Sequence, residues 1–114
     1  MSHRTIVLRP ALLSLFVALG LAGCGTLESS HVLTGAPRAQ SAGARVVMEG
    51  QGTPASFQEI AILQTVGSGH YANLADVVAE LRDHAARLGC TIVVNVRVDT
   101  GSATSSGTGV CGVD

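Results

Sequence analysis

The chain contains no lysine and no tryptophan, and only three Phe or Tyr rings in 114 residues. From Cys24 onward, five arginines (Arg38, Arg45, Arg82, Arg87, Arg97) face eight carboxylates, a net charge of −3. Without basic clusters or aromatics interleaved with them, there is no electrostatic footprint for nucleic acid. The same lack excludes a polybasic grip on anionic lipid. Acidic residues are missing before Glu28. Cysteine is scarce, with Cys24, Cys90 and Cys111 only. No Ser/His/Asp or Cys/His set has recognisable spacing, and no carboxylate pair comes with a pocket argument, so no catalytic residue is nominated. No cofactor motif and no metal-ligand spacing are found either.

What is present begins at the N-terminus. Arg4 and Arg9 precede an apolar run from Ala11 to Leu21, broken only by Ser14. That is the length of a signal-peptide core and too short to span a bilayer. The run ends in Leu21-Ala22-Gly23-Cys24, which resembles a bacterial lipobox. The resemblance implies that residues 1–23 are a removed signal peptide and that Cys24 becomes a lipidated N-terminus. A plain secretory signal or an uncleaved anchor, with Cys24 a bystander, is the alternative. One acyl chain holds a protein only marginally, at ~0.8 kcal/mol per buried methylene. The three chains implied here would hold it firmly. Gly25, rather than Asp, after the anchor also implies sorting to the outer membrane.

Residues 24–44 are rich in Gly, Ser, Ala and Thr and are expected to form a flexible tether, reaching ~70 Å when extended and ~25 Å as a coil. Val32-Leu33 is its one apolar pair, and His31 falls within it. Residues 45–114 are expected to form a single small domain. Arg45–Glu49 is a short strand, and 57–66 a longer one with two largely apolar faces. Leu74, Val77, Val78, Leu81, Ala85 and Leu88 make one stripe at helical spacing. Asn73 as N-cap, Asp76 in the first turn and Gly89 as the stop bound a helix at 74–88. Asp83 and Arg87, four apart, should pair on its wet side. Strands follow at 90–98, where Ile92, Val94, Val96 and Val98 alternate with Thr91, Val93, Asn95 and Arg97, and more weakly at 108–113. The order β-β-α-β-β predicts an α+β fold with one amphipathic helix on a small, mainly antiparallel sheet.

Two polar features stand apart from this frame. If the last two strands close as a hairpin over 99–102, Cys90 faces Cys111 directly, at a separation adjustable to a disulfide. A redox-sensing pair or a soft-metal site is the alternative use of Cys90 and Cys111. His70 and Tyr71 beside Gly67-Ser68-Gly69 suggest either an anion cradle or simple turn chemistry; the bare Gly-x-Gly with no nearby cation favours the turn. His84 is expected to be a solvated surface histidine.

Glu59-Ile60-Ala61-Ile62-Leu63, then Leu81 with Ala85-Ala86-Arg87-Leu88-Gly89, then Ile92-Val93-Val94-Asn95-Val96 resemble the RcsF-related envelope lipoproteins and the YbjQ-like domain. Cys90-Thr91 stand where those families carry Ala-Asn, and the chain has cysteines for one internal bridge rather than two. The resemblance covers about residues 45–114. It implies a lipid-anchored, non-enzymatic binding or stress-sensor module facing the periplasm and acting through an envelope protein partner. A purely structural envelope lipoprotein is the runner-up.

Overall fold

The computed structural model describes residues 25–114; the expected signal peptide, the lipobox-like stretch and Cys24 lie outside the described residues. The architecture is α+β, one helix on a five-stranded mixed sheet. In chain order the strands are β1 (Leu27–Leu33), β2 (Arg45–Met48), β3 (Gln58–Ser68), β4 (Ile92–Thr100) and β5 (Thr104–Val113). The helix α1 (Leu74–Arg87) lies between β3 and β4. Across the sheet the order is β1-β3-β5-β4-β2. β2 runs parallel to β4, and the other neighbouring pairs are antiparallel.

The helix follows its sequence signals closely. Asn73 caps it by accepting the Asp76 N–H at 2.9 Å, and Gly89 takes the left-handed conformation that ends it (φ 84°). Such a cap contributes about 1 kcal/mol. Val77, Leu81 and Ala85 are fully buried against Ala61, Leu63, Val93, Val96 and Cys111. Leu74, expected in the buried stripe, is instead 51% exposed.

β5 reads as the weakest strand yet sits at the centre of the sheet. Its helix-facing side is Ser105, Gly107, Gly109 and Cys111. A Cβ at Gly107 would lie 2.6 Å from Val77 Cγ1 and 3.0 Å from Leu81 Cδ1. The helix therefore seats into a groove that only glycine leaves open, and close packing there replaces large side chains. On the opposite face, the Gln58 carbonyl and the Phe57 ring occupy the space that a side chain at 112 would need, and Ile92 and Val94 are buried.

Several expectations need correction. The order is β-β-β-α-β-β, because Leu27–Leu33 within the expected tether forms an edge strand paired along its length with β3. The rest of that stretch is also bound to the domain. Arg38 N–H donates to Leu88 O (3.0 Å), Ser41 N–H to Ala86 O (2.9 Å) and Ser41 Oγ to Cys90 O (2.7 Å). Two of these donors reach the Ala86 and Leu88 carbonyls at the helix end, where intrahelical partners run out. Composition alone hides such backbone bonding, and so residues 25–44 read as flexible. In β4, Asn95 at φ 54° marks a register shift, after which Val96 and Val98 join Val93 beside the helix. The simple alternation expected for that strand is broken there.

Candidate functional site

The Cys90–Cys111 disulfide is present, with Cα atoms 5.7 Å apart and both residues fully buried. It is not formed by directly opposed residues. The β4–β5 turn closes later than expected, so Val93 faces Cys111 and Ile92 faces Gly112. Cys90 lies just before β4, and the Thr91 N–H bond to Gly112 O (2.8 Å) brings it close enough to bridge. Joined to each other, the two sulfurs are not thiolate ligands.

Gly69–Tyr71 form a single 3-10 turn. His70 Nδ1 accepts the Gly25 N–H at 3.2 Å, and its ring lies 4.0 Å from that of Tyr71, centroid to centroid. Thr26 bonds through both its N–H and its hydroxyl to Ser68 Oγ. The His70 ring nitrogen is thus engaged by the chain itself, as turn chemistry requires.

Two histidines that the sequence separates by 53 positions come together on the helix flank. Ser29 and His31 lie on the helix-facing side of β1, and Glu80 and His84 stand one turn apart on α1. His31 Nδ1 and His84 Nε2 are 2.7 Å apart, His84 Nδ1 and Ser29 Oγ 2.6 Å, and Ser29 Oγ and Glu80 Oε1 2.9 Å. Arg87 closes the chain on Glu80 at 3.2 Å. Arg87 therefore pairs with Glu80 rather than with Asp83. His84 is only 9% exposed, so the expectation of a solvated histidine is corrected, and His31 belongs to a strand rather than a tether. Burial, above all, depresses the His84 pKa; the positive charges of Arg87 and His31 add to this and Glu80 opposes it.

Proton placement follows from the partners, because each neutral imidazole has one donor and one acceptor nitrogen. Glu80, held by Arg87, accepts only, so the Ser29 hydroxyl must donate to it. His84 Nδ1–H then donates to Ser29, and His31 Nδ1–H to His84 Nε2. This polarity is the reverse of what an activated serine needs, since the hydroxyl proton points to a carboxylate and not to the imidazole. The network ties β1 to the helix; it is not arranged for nucleophilic attack. The one sequence signal for it was the pair of spacings, Ser29/His31 at strand period and Glu80/His84 at helix period.

Beside the network, Thr65 is fully buried on β3 opposite Ser29, and its hydroxyl has no hydrogen-bond partner among the described residues. A shallow cleft of about 550 Å³ lies between residues 40–44 and the outer face of α1, where Arg82, Asp83 and Arg87 put charges of both signs together. On the sheet face away from the helix, Val32 and Ile62 are cross-strand partners and are 66% and 47% exposed. Among the described residues no group of three or more His, Cys, Asp or Glu side chains is placed to hold a metal ion, and no helix is long and apolar enough to cross a membrane.

No family model matches the chain, and no curated protein matches it. Among solved structures, the fold is similar to that of the Francisella virulence factor FvfA in its orthorhombic crystal form, at 13% identity and a TM-score of 0.51, covering 75% of this chain and 97% of that one. At that identity the likeness shows a shared fold and nothing about activity.

Proposed function

We propose that this chain is a lipid-anchored cell-envelope module without catalytic activity, held at the outer membrane through Cys24 and acting as a binding or stress-sensing protein. The observation that carries this reading is the apolar run ending in Leu21-Ala22-Gly23-Cys24. The buried Cys90–Cys111 bond supports it, because such bonds persist in the oxidising compartments beyond the inner membrane. The donor order through Ser29, His84 and Glu80 supports the non-catalytic part. Signalling to an envelope partner rests on the resemblance to the RcsF-related lipoproteins. The exposed Val32–Ile62 strip, on the edge strand and its neighbour, is the surface offered to that partner.

The test is to express wild type and Cys24→Ser in a bacterial host with an outer membrane, then fractionate and crosslink. Wild type is expected in the outer-membrane fraction and crosslinked to a discrete envelope protein, with Cys24→Ser released to the soluble fraction. Unchanged membrane association of Cys24→Ser would remove the anchor. A membrane-bound wild type that crosslinks to no protein would leave a structural lipoprotein in place of a sensor.

A further inference from the structure

The candidate anchor and the fold meet with no slack between them. Gly25, one residue after Cys24, donates its N–H to His70 Nδ1, and Thr26 is bonded to Ser68. Gly25 is packed so closely on the Ser68 carbonyl that a Cβ there would run into its oxygen. Consecutive Cα atoms are only ~3.8 Å apart, so whatever holds Cys24 also holds this end of the domain.

The same end gathers the start of β1, the end of β3, the 3-10 turn, the N-cap and first residue of α1 and the β4–β5 turn. Ser68 pairs with Thr104, and Gly69 N–H donates to Ala103 O at 3.2 Å. The disulfide lies at the opposite end, where β4 starts and β5 finishes. The tip comprises residues 25–26, 68–74 and 101–104. None of the five arginines or eight carboxylates of the described chain falls within it. For a chain of net charge −3 from Cys24 onward, a tip free of carboxylates limits repulsion from anionic headgroups. It also presents Leu74, 51% exposed, beside the half-buried Tyr71. A tyrosine ring with an adjacent aliphatic side chain suits the headgroup boundary, where one end of the ring is apolar and the other wet. Glu28, Asp76 and Asp99 each lie two residues beyond these segments, and Asp76 is bonded to the Asn73 cap.

We propose that this tip rests directly on the bilayer that holds Cys24, with Leu74 and Tyr71 at headgroup depth, so that the domain stands upright with its disulfide end outward. The proposal rests on the reading of Cys24 as a lipidated residue. It differs from a domain that swings on a tether, because it fixes which surfaces face lipid and which face a partner. The Val32–Ile62 strip then lies on the side wall, parallel to the membrane normal and open to an envelope protein.

The chain lacks tryptophan, so single reporters can be introduced. The processed, lipidated protein carrying Leu74→Trp, Ala103→Trp or Ser56→Trp is reconstituted in vesicles of phosphatidylethanolamine and phosphatidylglycerol that contain brominated acyl chains. All three positions are exposed, so the fold tolerates them, and Ser56 precedes β3 at the far end. Severalfold stronger quenching at 74 and 103 than at 56 is expected. Equal, weak quenching at all three in protein whose intact mass carries lipid on Cys24 would overturn the upright docking alone. A mass without lipid on Cys24 would overturn the anchor reading and this proposal together.

Discussion

The helix is held on its two flanks by different physics. Over β3, β5 and β4 it is seated by Val77, Leu81 and Ala85 against an apolar core that the Cys90–Cys111 bond closes at one end. Over β1 it is held by a run of polar groups from His31 to Arg87. Apolar burial is non-directional and tolerates small shifts, whereas the polar run works only with each proton in one place. The first flank should therefore set global stability, and the second should decide whether the edge strand, and with it the segment that follows Cys24, stays attached.

The largest effect is expected from the covalent staple. Cys90 and Cys111 are 21 positions apart, and losing a bridge over such a loop costs about 3 kcal/mol. Cys90→Ala with Cys111→Ala should lower the urea midpoint accordingly in equilibrium unfolding. A midpoint within error of wild type would show that packing alone closes this end.

Next comes His84→Ala, which takes the ring nitrogens away from Ser29 Oγ and His31 Nδ1 and breaks the link between the edge strand and the helix. A cost of about 1–2 kcal/mol is expected. The loss should be local: hydrogen exchange of β1 amides rises roughly tenfold while β5 amides change little. A uniform rise through both strands would mean that the two flanks unfold as one unit.

Acid should act on the same flank. The folded-state pKa of His84 is lowered, so the folded protein binds a proton less readily there than the unfolded chain does. That contribution to stability is complete above the ordinary histidine range, and it is lost as pH falls through 6.5 towards the depressed folded value. A proton added at His84 Nε2 would also set its N–H against the His31 Nδ1–H. Exchange of β1 amides measured between pH 7.5 and 5 should quicken beyond the intrinsic trend, and the His84→Ala variant should not show this. Asp114 titrates on the other side of the molecule. Its hydrogen bonds from Arg45 and Thr91 lower its pKa, so its contribution is present above the ordinary carboxylate value and is lost only in stronger acid.

The smallest change is Thr65→Val. Its buried hydroxyl has no partner among the described residues, so replacing it with a methyl of similar volume should leave stability unchanged or raise it by up to about 1 kcal/mol. A clear loss in thermal unfolding would mean that the hydroxyl contributes to the β1 flank.

The difference between the flanks is also a difference in legibility. Helix α1 could be read almost to the residue, because Asn73, the apolar stripe and Gly89 each carry a local signal. The disulfide could be read as a pair but not in its register: the turn closes at residues 101–103, and no side chain near it specifies that over 99–102. β1 was hidden because Leu27–Leu33 owes its place to backbone bonds with β3, and Ser-rich composition says nothing of those. β5 carries a weak sequence signal for a related reason, since its glycines work by letting the helix approach rather than by burying area. The His31–His84 contact depends on a strand and a helix meeting across the fold, and only their separate periodicities were visible beforehand.

The anchor, the placement of the domain and its address all depend on Cys24. Intact-mass and N-terminal fragment analysis of the protein extracted from membranes tests it most directly. The expected species is a chain beginning at Cys24 whose first residue carries a diacylglyceryl thioether. A mature chain that starts anywhere else, or one whose Cys24 is an unmodified thiol, would contradict it.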